Sequence, residues 1–299
     1  MNDKQSVYDT ITSKIIAAAE ANPGTPKMPW HRSPGEPLYM PSNALSKNAY
    51  RGINTISLWV TAEVQGYSRP IWGTYRQWAQ LDCQVRKGER AATVIYYNEF
   101  EVAVEADATD DDGKRRMARS SSVFNADQVD GYEAAAVIPD MGPIARTEAF
   151  NAFVRGTGAR IEYGGDRAFY RPSTDIITMP NESRFCGTTT MTRDEGFMTV
   201  LAHELGHYSG APGRLNREFG KRFGDAAYVV EEVVAELTAA LICAELGISS
   251  EPRPDHAQYI AQYLTLLKSY NRAIFTAAAQ AAKAVDYLKA LGQPIATAA

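Results

Sequence analysis

The sequence predicts an α+β protein of two domains, spanning 1–140 and 141–299, and three observations carry that prediction. Its 299 residues exceed the usual single-domain length, so two structural units are expected. Helical 3.6-residue spacing and strand-like alternation both recur along the chain, and in the second half helical runs surround a small set of short strands. Between the halves, D-M-G-P-I-A-R-T (140–147) breaks the periodic pattern and is read as the linker.

The elements follow in order. Residues 4–21 form a helix, with Val7, Ile11, Ile15 and Ile16 at helical spacing and P-G-T-P ending it. An irregular loop rich in Pro, Ser, Asn and Gly runs from Met28 to Asn54. Ile53, Ile56, Leu58, Val60 and Val64 then mark a second helix over 53–67, and 74–82 a short third one. V-R-K-G-E-R (85–90) is a turn leading into an alternating strand. The acidic run 107–117 is the solvated tip of a hairpin, and A-R-S-S-S-V-F-N (118–125) is its return strand. Past the linker come a helix over 147–158 and strands in A-R-I-E-Y, A-F-Y-R-P and D-I-I-T-M-P. Helices are expected over 197–210 and 228–247, separated by the polar stretch 211–225, and helical sequence resumes from Asp255 to Gly292.

Bulk properties bound the function. Apolar content of 45% and charged content of 22% suit a soluble globular protein. The N-terminus lacks an apolar h-region and no apolar run is long enough to span a bilayer, so neither a signal peptide nor a membrane anchor is expected. Cys83, Cys186 and Cys243 form no C-x-x-C pair, which points to a reduced, cytoplasmic setting. A net charge of −4 argues against a generally basic nucleic-acid binder. Its distribution is uneven: residues 1–98 carry 11 Lys+Arg against 7 Asp+Glu, whereas 126–299 carry 16 against 21.

The chemistry concentrates in T-V-L-A-H-E-L-G-H-Y-S-G (199–210). Residues four apart on a helix share a face, so His203 and His207 can offer ring nitrogens to one ion. Glu204 stands one step round, placed to exchange a proton with water, in the H-E-x-x-H arrangement of metal-dependent peptidases. The competing reading is a helix whose two imidazoles only pack or cap. A catalytic zinc needs a third protein ligand and an open position. Neither His31 nor His256 lies in a recognisable zinc-binding extension. V-V-E-E-V-V-A-E-L-T-A-A offers carboxylates on an otherwise apolar helix, and burying them there without partners is costly. Glu232 and Glu236 share a face, whereas Glu231 is rotated by about 100°. Glu232 is the expected third ligand and Glu236 the acceptor for a ligand imidazole N–H. Glu236 as the ligand, or a plain solvated glutamate face, are the alternatives. Tyr208, Tyr228, His256 and Arg214 are candidates to steady an oxyanion.

H-E-L-G-H followed by an E-x-x-x-E helix resembles gluzincin metallopeptidases, whose third ligand is the first glutamate of such a pair. More specifically, N-A-Y-R-G-I-N (48–54), P-I-W-G-T-Y-R-Q-W (70–78), V-R-K-G-E-R (85–90), V-F-N-A-D-Q (123–128), A-F-Y-R-P-S-T-D-I-I-T-M-P (168–180), L-A-H-E-L-G-H (201–207), G-R-L-N-R (213–217) and E-E-V-V-A-E-L (231–237) resemble the ArdC family of plasmid antirestriction proteins. The resemblance implies a front domain that binds single-stranded DNA, shared with some plasmid primases, and a rear domain of zincin-like metallopeptidase fold. It also implies protection of incoming plasmid DNA from host restriction during conjugation. Zn2+ is the expected cofactor, with Mn2+ as the other candidate, and a host restriction-system protein is a further candidate partner. The alternative is a DNA-dependent metalloprotease that cleaves a host protein met on DNA.

All four tryptophans lie in the front half, interleaved with Arg and Lys. Aromatic stacking with basic residues tracking phosphates is how sequence-tolerant single-strand binding works. Trp59 and Trp78 sit on helices and read as core. Trp30, Lys47, Tyr50, Arg51, Arg86, Lys87 and Arg90 lie in loops and turns and are the expected DNA contacts.

Overall fold

A computed structural model describes residues 6–21, 28–31, 38–101, 114–133, 141–188, 191–220, 226–248 and 256–292. Helix α1 (Val7–Glu20) starts at Ser6, whose side chain accepts from the Asp9 N–H, and buries Ile11, Ile15 and Ala19. Helix α2 (Ile53–Gln65) stops at Gly66, where φ of +70° closes the last turn in the left-handed region. Helix α3 (Tyr75–Gln80) opens with a reciprocal cap between Thr74 and Gln77. Around these lie β1 (Ser42–Asn43), β2 (Ile71–Gly73), β3 (Gln84–Val85), β4 (Ala92–Glu101), β5 (Lys114–Asn125) and β6 (Val129–Asp130). The expected hairpin is the antiparallel β4–β5 pair, from Ala92 opposite Val123 to Glu101 opposite Lys114. Its expected tip, 107–117, lies mostly outside the described residues. The sheet order is β1-β2-β5-β4, with β3 and β6 as a separate pair.

Helix α4 (Pro143–Gly156) corrects the expected linker, because residues 143–147 are helical. Pro143 occupies its first turn, where the missing N–H costs nothing and the fixed φ favours the helix. Strands β7 (Arg160–Tyr163), β8 (Phe169–Arg171) and β9 (Ile176–Met179) form a sheet of order β7-β9-β8, parallel between β7 and β9 and antiparallel between β9 and β8. Helix α5 (Arg193–Ser209) begins four residues before the expected start at 197. Thr192 and Glu195 form a capping box there, a T-x-x-E signal present in the sequence. Helices α6 (Ala226–Leu246), α7 (His256–Ser269) and α8 (Ala273–Leu291) complete the chain. No described helix is long and apolar enough to cross a membrane.

The main core is shared by both halves. Ile11 and Ile15 of α1, Ile56 and Trp59 of α2, Met28 and Trp30 belong to one buried cluster with Leu201 and Leu205 of α5, Ile242 of α6 and Ile274 of α8. Two smaller clusters, around Trp78 with Val129 and around Leu58, Trp72 and Val94, belong to the front half. The front half therefore has local cores of its own while α1, α2 and the loop holding Trp30 lie on the rear helices.

Candidate metal centre

Helices α5 and α6 lie against each other at Gly206. A Cβ at that position would stand 2.8 Å from the Cα of Ala235, so the close approach requires glycine. This contact brings the histidine face of α5 against the glutamate face of α6. Nε2 of His203 is 3.5 Å from Oε2 of Glu232, and Nε2 of His207 is 3.6 Å from Oε1 of the same carboxylate. One ligand atom from each of the three residues lies within 4.8 Å of the others. Two ligands each about 2.1 Å from one tetrahedral ion stand about 3.4 Å apart, so the spacing fits a single divalent cation. His207 and Glu232 side chains are each 13% exposed, which leaves the centre open to solvent on one side. Glu204 is buried next to His203 in the chain.

The far nitrogens are held from behind. Nδ1 of His203 is 3.3 Å from Oε2 of Glu236, the residue expected to back one of the two imidazoles. Nδ1 of His207 is 3.1 Å from Oε1 of Glu231. Sequence reasoning missed Glu231, because its rotation away from Glu232 placed it outside the face considered. The same rotation lets it reach His207 from the side. Glu231 is itself gripped by Arg217, with Nε and Nη2 donating to its two oxygens at 2.8 Å each. Arg217 also donates to the Gly206 carbonyl and to Ser209 Oγ, tying the G-R-L-N-R turn to α5. Both rings are thus turned with Nε2 toward Glu232.

The electrostatics match a cation cavity. Burial disfavours charge on His203, but hydrogen bonds to Glu232 and Glu236 and the field of Glu204 outweigh it and push the imidazole up to about 10. Burial likewise acts to raise Glu232, yet His203 and His207 hold its carboxyl down at about 2. Glu231 sits below its ordinary value because Arg217 and His207 overcome its desolvation. The cluster thus favours a positive charge between these acceptors, and His203, His207 and Glu232 would supply the site for a divalent ion.

Of the oxyanion candidates, Arg214 and Tyr208 are engaged elsewhere. Arg214 donates to the Tyr208 carbonyl, Tyr170 Oη and Asp175, and its guanidinium lies 3.7 Å over the Tyr208 ring. Tyr208 Oη donates to the Thr157 carbonyl at 3.3 Å. Tyr228 hydrogen-bonds Glu232 and so stands at the centre. His256 begins α7.

The front-half residues fall into two groups. Trp30 is fully buried, which corrects its expected role, since an indole closed into the core cannot stack on a base. Tyr50 is half-buried and its hydroxyl accepts from Asn43 at 3.1 Å. Arg51 is exposed but paired with Asp286 of α8, where it bridges the two halves. Arg86, Lys87 and Arg90 are exposed in one turn, with Arg86 held by Glu89 at 3.0 Å and Asp130 at 3.4 Å. Lys47 is exposed at a tight turn with φ of +62°. Beside the Arg86 turn lies an open cleft of about 560 Å³, lined by Lys87, Gln84, Phe124 and the exposed ring of Tyr75.

Comparison with known proteins converges on one family. Residues 5–124 match the N-terminal domain of anti-restriction factor ArdC, and 148–280 match a zincin-like metallopeptidase domain. The chain is 46% identical to the uncharacterized protein y4eC of Sinorhizobium fredii, covering 95% of this chain and 92% of that one. It is 34% identical to the Escherichia coli DNA primase TraC over 98% of its own length but only 20% of the primase. Among solved structures, the metal-free antirestriction ArdC protein from plasmid R388 superposes with a TM-score of 0.74 at 36% identity, covering 96% of this chain and 97% of that one. Its Mn(II)-bound form gives 0.72 at 34% identity, covering 96% and 98%. With identity above 30% to the R388 protein across nearly the whole length of both chains, this chain belongs to the ArdC family of antirestriction proteins.

Proposed function

We propose that this protein acts in the cytoplasm, binds single-stranded DNA through residues 1–140 and shields incoming plasmid DNA from restriction, while residues 141–299 hold a divalent ion in a peptidase-type centre. The convergence of His203, His207 and Glu232 on one point carries the metal reading. Two imidazoles and a carboxylate suit Zn2+, and the relative from R388 has been solved with Mn(II). The DNA reading is supported by the basic turn around Arg86, Lys87 and Arg90 and by Tyr75, an exposed ring lining the adjoining cleft, with Lys47 and Tyr50 as further candidate contacts and Arg51 pinned to Asp286.

A divalent ion at this centre supplies Lewis acidity and acidifies water. Glu236 behind His203 and Glu231 behind His207 would favour the Nδ1–H tautomer of each ring, leaving the Nε2 lone pair of both to hold a divalent ion together with Glu232. Glu204 accepts the proton of an attacking water and returns it to a leaving amine. Tyr228, which hydrogen-bonds Glu232, is the candidate donor to a developing oxyanion that this reading favours. The second reading, a DNA-dependent protease acting on a host restriction-system protein, is favoured by the retention of Glu204, which a structural metal site does not need. Glu204→Gln tests the choice. Full restriction protection with normal DNA binding supports the shield, whereas lost protection at wild-type DNA affinity transfers the function to proteolysis.

A further inference from the structure

We infer that His31, supplied by the front half, is a positioning residue of the metal centre: it holds Glu236, and Glu236 aims His203. The inference rests on the metal reading above. His31 is 1% exposed and stands 205 positions before Glu236 in the chain. Its Nδ1 accepts the Met28 N–H at 3.2 Å, so the proton of the neutral ring is on Nε2. That Nε2 donates to Oε1 of Glu236, and the second oxygen of Glu236 faces Nδ1 of His203 at 3.3 Å. The result is a buried line from the Met28 backbone through His31 and Glu236 to a metal-facing imidazole.

Each link has a physical reason. Glu236 lies on a helix face of Val, Ala and Leu, and a carboxylate desolvated there needs donors on both oxygens. His31 donates to one oxygen, and Nδ1 of His203 lies 3.3 Å from the other. With only His203, the carboxylate could rotate about its last torsion, and the ring it orients would lose its fixed tautomer. Partners of this kind, one bond removed from a metal ligand, change metal affinity about 10- to 100-fold when removed. The centre is therefore complete only when the loop holding Met28, Trp30 and His31 is seated on the rear helices, and no part of that loop lies within the segment 148–280 that matches the metallopeptidase domain.

The test uses the full-length protein with Zn2+ alone as ligand, measured by competition against a chromogenic chelator. His31→Leu removes the donor at similar volume, His31→Gln keeps an N–H where Nε2 stood, and Met28→Ala removes only packing from the same loop. We expect His31→Leu to bind Zn2+ about 10- to 100-fold more weakly, with His31→Gln and Met28→Ala within about threefold of wild type. Wild-type affinity in His31→Leu, or an equal loss in Met28→Ala, overturns the inference. Absence of Zn2+ binding by the wild type would instead overturn the metal reading beneath it. A second measurement covers the case in which His31→Leu does not fold. In wild-type protein with 15N-labelled histidine, His31 must appear as the Nε2–H tautomer and its ring signals must move on adding Zn2+. The other tautomer, or signals indifferent to Zn2+, overturns the inference equally.

Discussion

Gly206→Ala is the most informative single change, because it tests whether the spacing of α5 and α6 sets the metal centre. The added methyl would meet Ala235 at 2.8 Å from Cα and 3.2 Å from both Cβ and the carbonyl oxygen. Carbon contacts settle at about 3.5–4.0 Å, so the helices must separate locally by roughly 0.7 Å. Overpacking of this kind costs about 1–3 kcal/mol. Alanine returns about 1 kcal/mol of helix propensity relative to glycine. The net loss expected is up to about 2 kcal/mol, a fall in melting temperature of about 2–4 °C per kcal/mol for a protein near this size. Metal binding should suffer more than the fold. Glu232 is one turn from Ala235 and His207 adjoins Gly206, so the separation moves a carboxylate relative to both imidazoles, whereas metal–ligand distances tolerate only about 0.2 Å. Thermal melts in chelator read the packing cost, and a chelator-competition titration reads the affinity. A variant that melts with wild type and binds Zn2+ with wild-type affinity would refute the claim that this contact sets the centre.

Other consequences follow from the same geometry. Arg217→Met leaves the buried Glu231 carboxylate without its bidentate partner, a loss of about 3–5 kcal/mol, and Arg217→Lys should rescue little because one ammonium cannot satisfy both oxygens; denaturant melts of the three proteins measure it. Glu204→Gln should retain metal by elemental analysis, since Glu204 has no ligand role, and a metal-free preparation would count against the assignment. For Asp127, burial acts to raise the carboxyl, but Arg69 and the N–H groups of Ser68 and Arg69 outweigh it and hold it below 3.8. A depressed folded-state value means stability present above about pH 4 and lost as pH falls through the lowered value, so the deficit of Asp127→Asn should be full at pH 7 and shrink below about pH 4 in urea melts. Lys87→Ala with Arg90→Ala should lower the salt slope of single-strand binding by about 0.7 per phosphate contact removed, as read by fluorescence anisotropy across salt, and an unchanged slope would place the DNA elsewhere.

The sequence by itself determined the chemistry that depends on local spacing. Two histidines four apart on a helix share a face whatever surrounds them, and Glu232 and Glu236 do the same, so His203, His207 and Glu232 could be proposed as ligands without coordinates, whereas which imidazole Glu236 would face could not. The starts of α2 and α3 fell within a residue of expectation, whereas the first helix was expected from residue 4 and begins after Ser6; that cap and the Thr192–Glu195 box were present in the sequence, but the apolar runs set the expected limits instead. Tertiary structure alone decided what depends on segments far apart in the chain. Glu231 became the partner of His207 only through the crossing of α5 on α6 and the return of Arg217. Trp30, in a loop whose composition suggests exposure, was buried because the loop is seated on the rear helices, and that same seating carried His31 to Glu236. Periodicity reports which face of an element is apolar, but not which distant segment will cover it, and here a front-half loop covers the back of the metal centre.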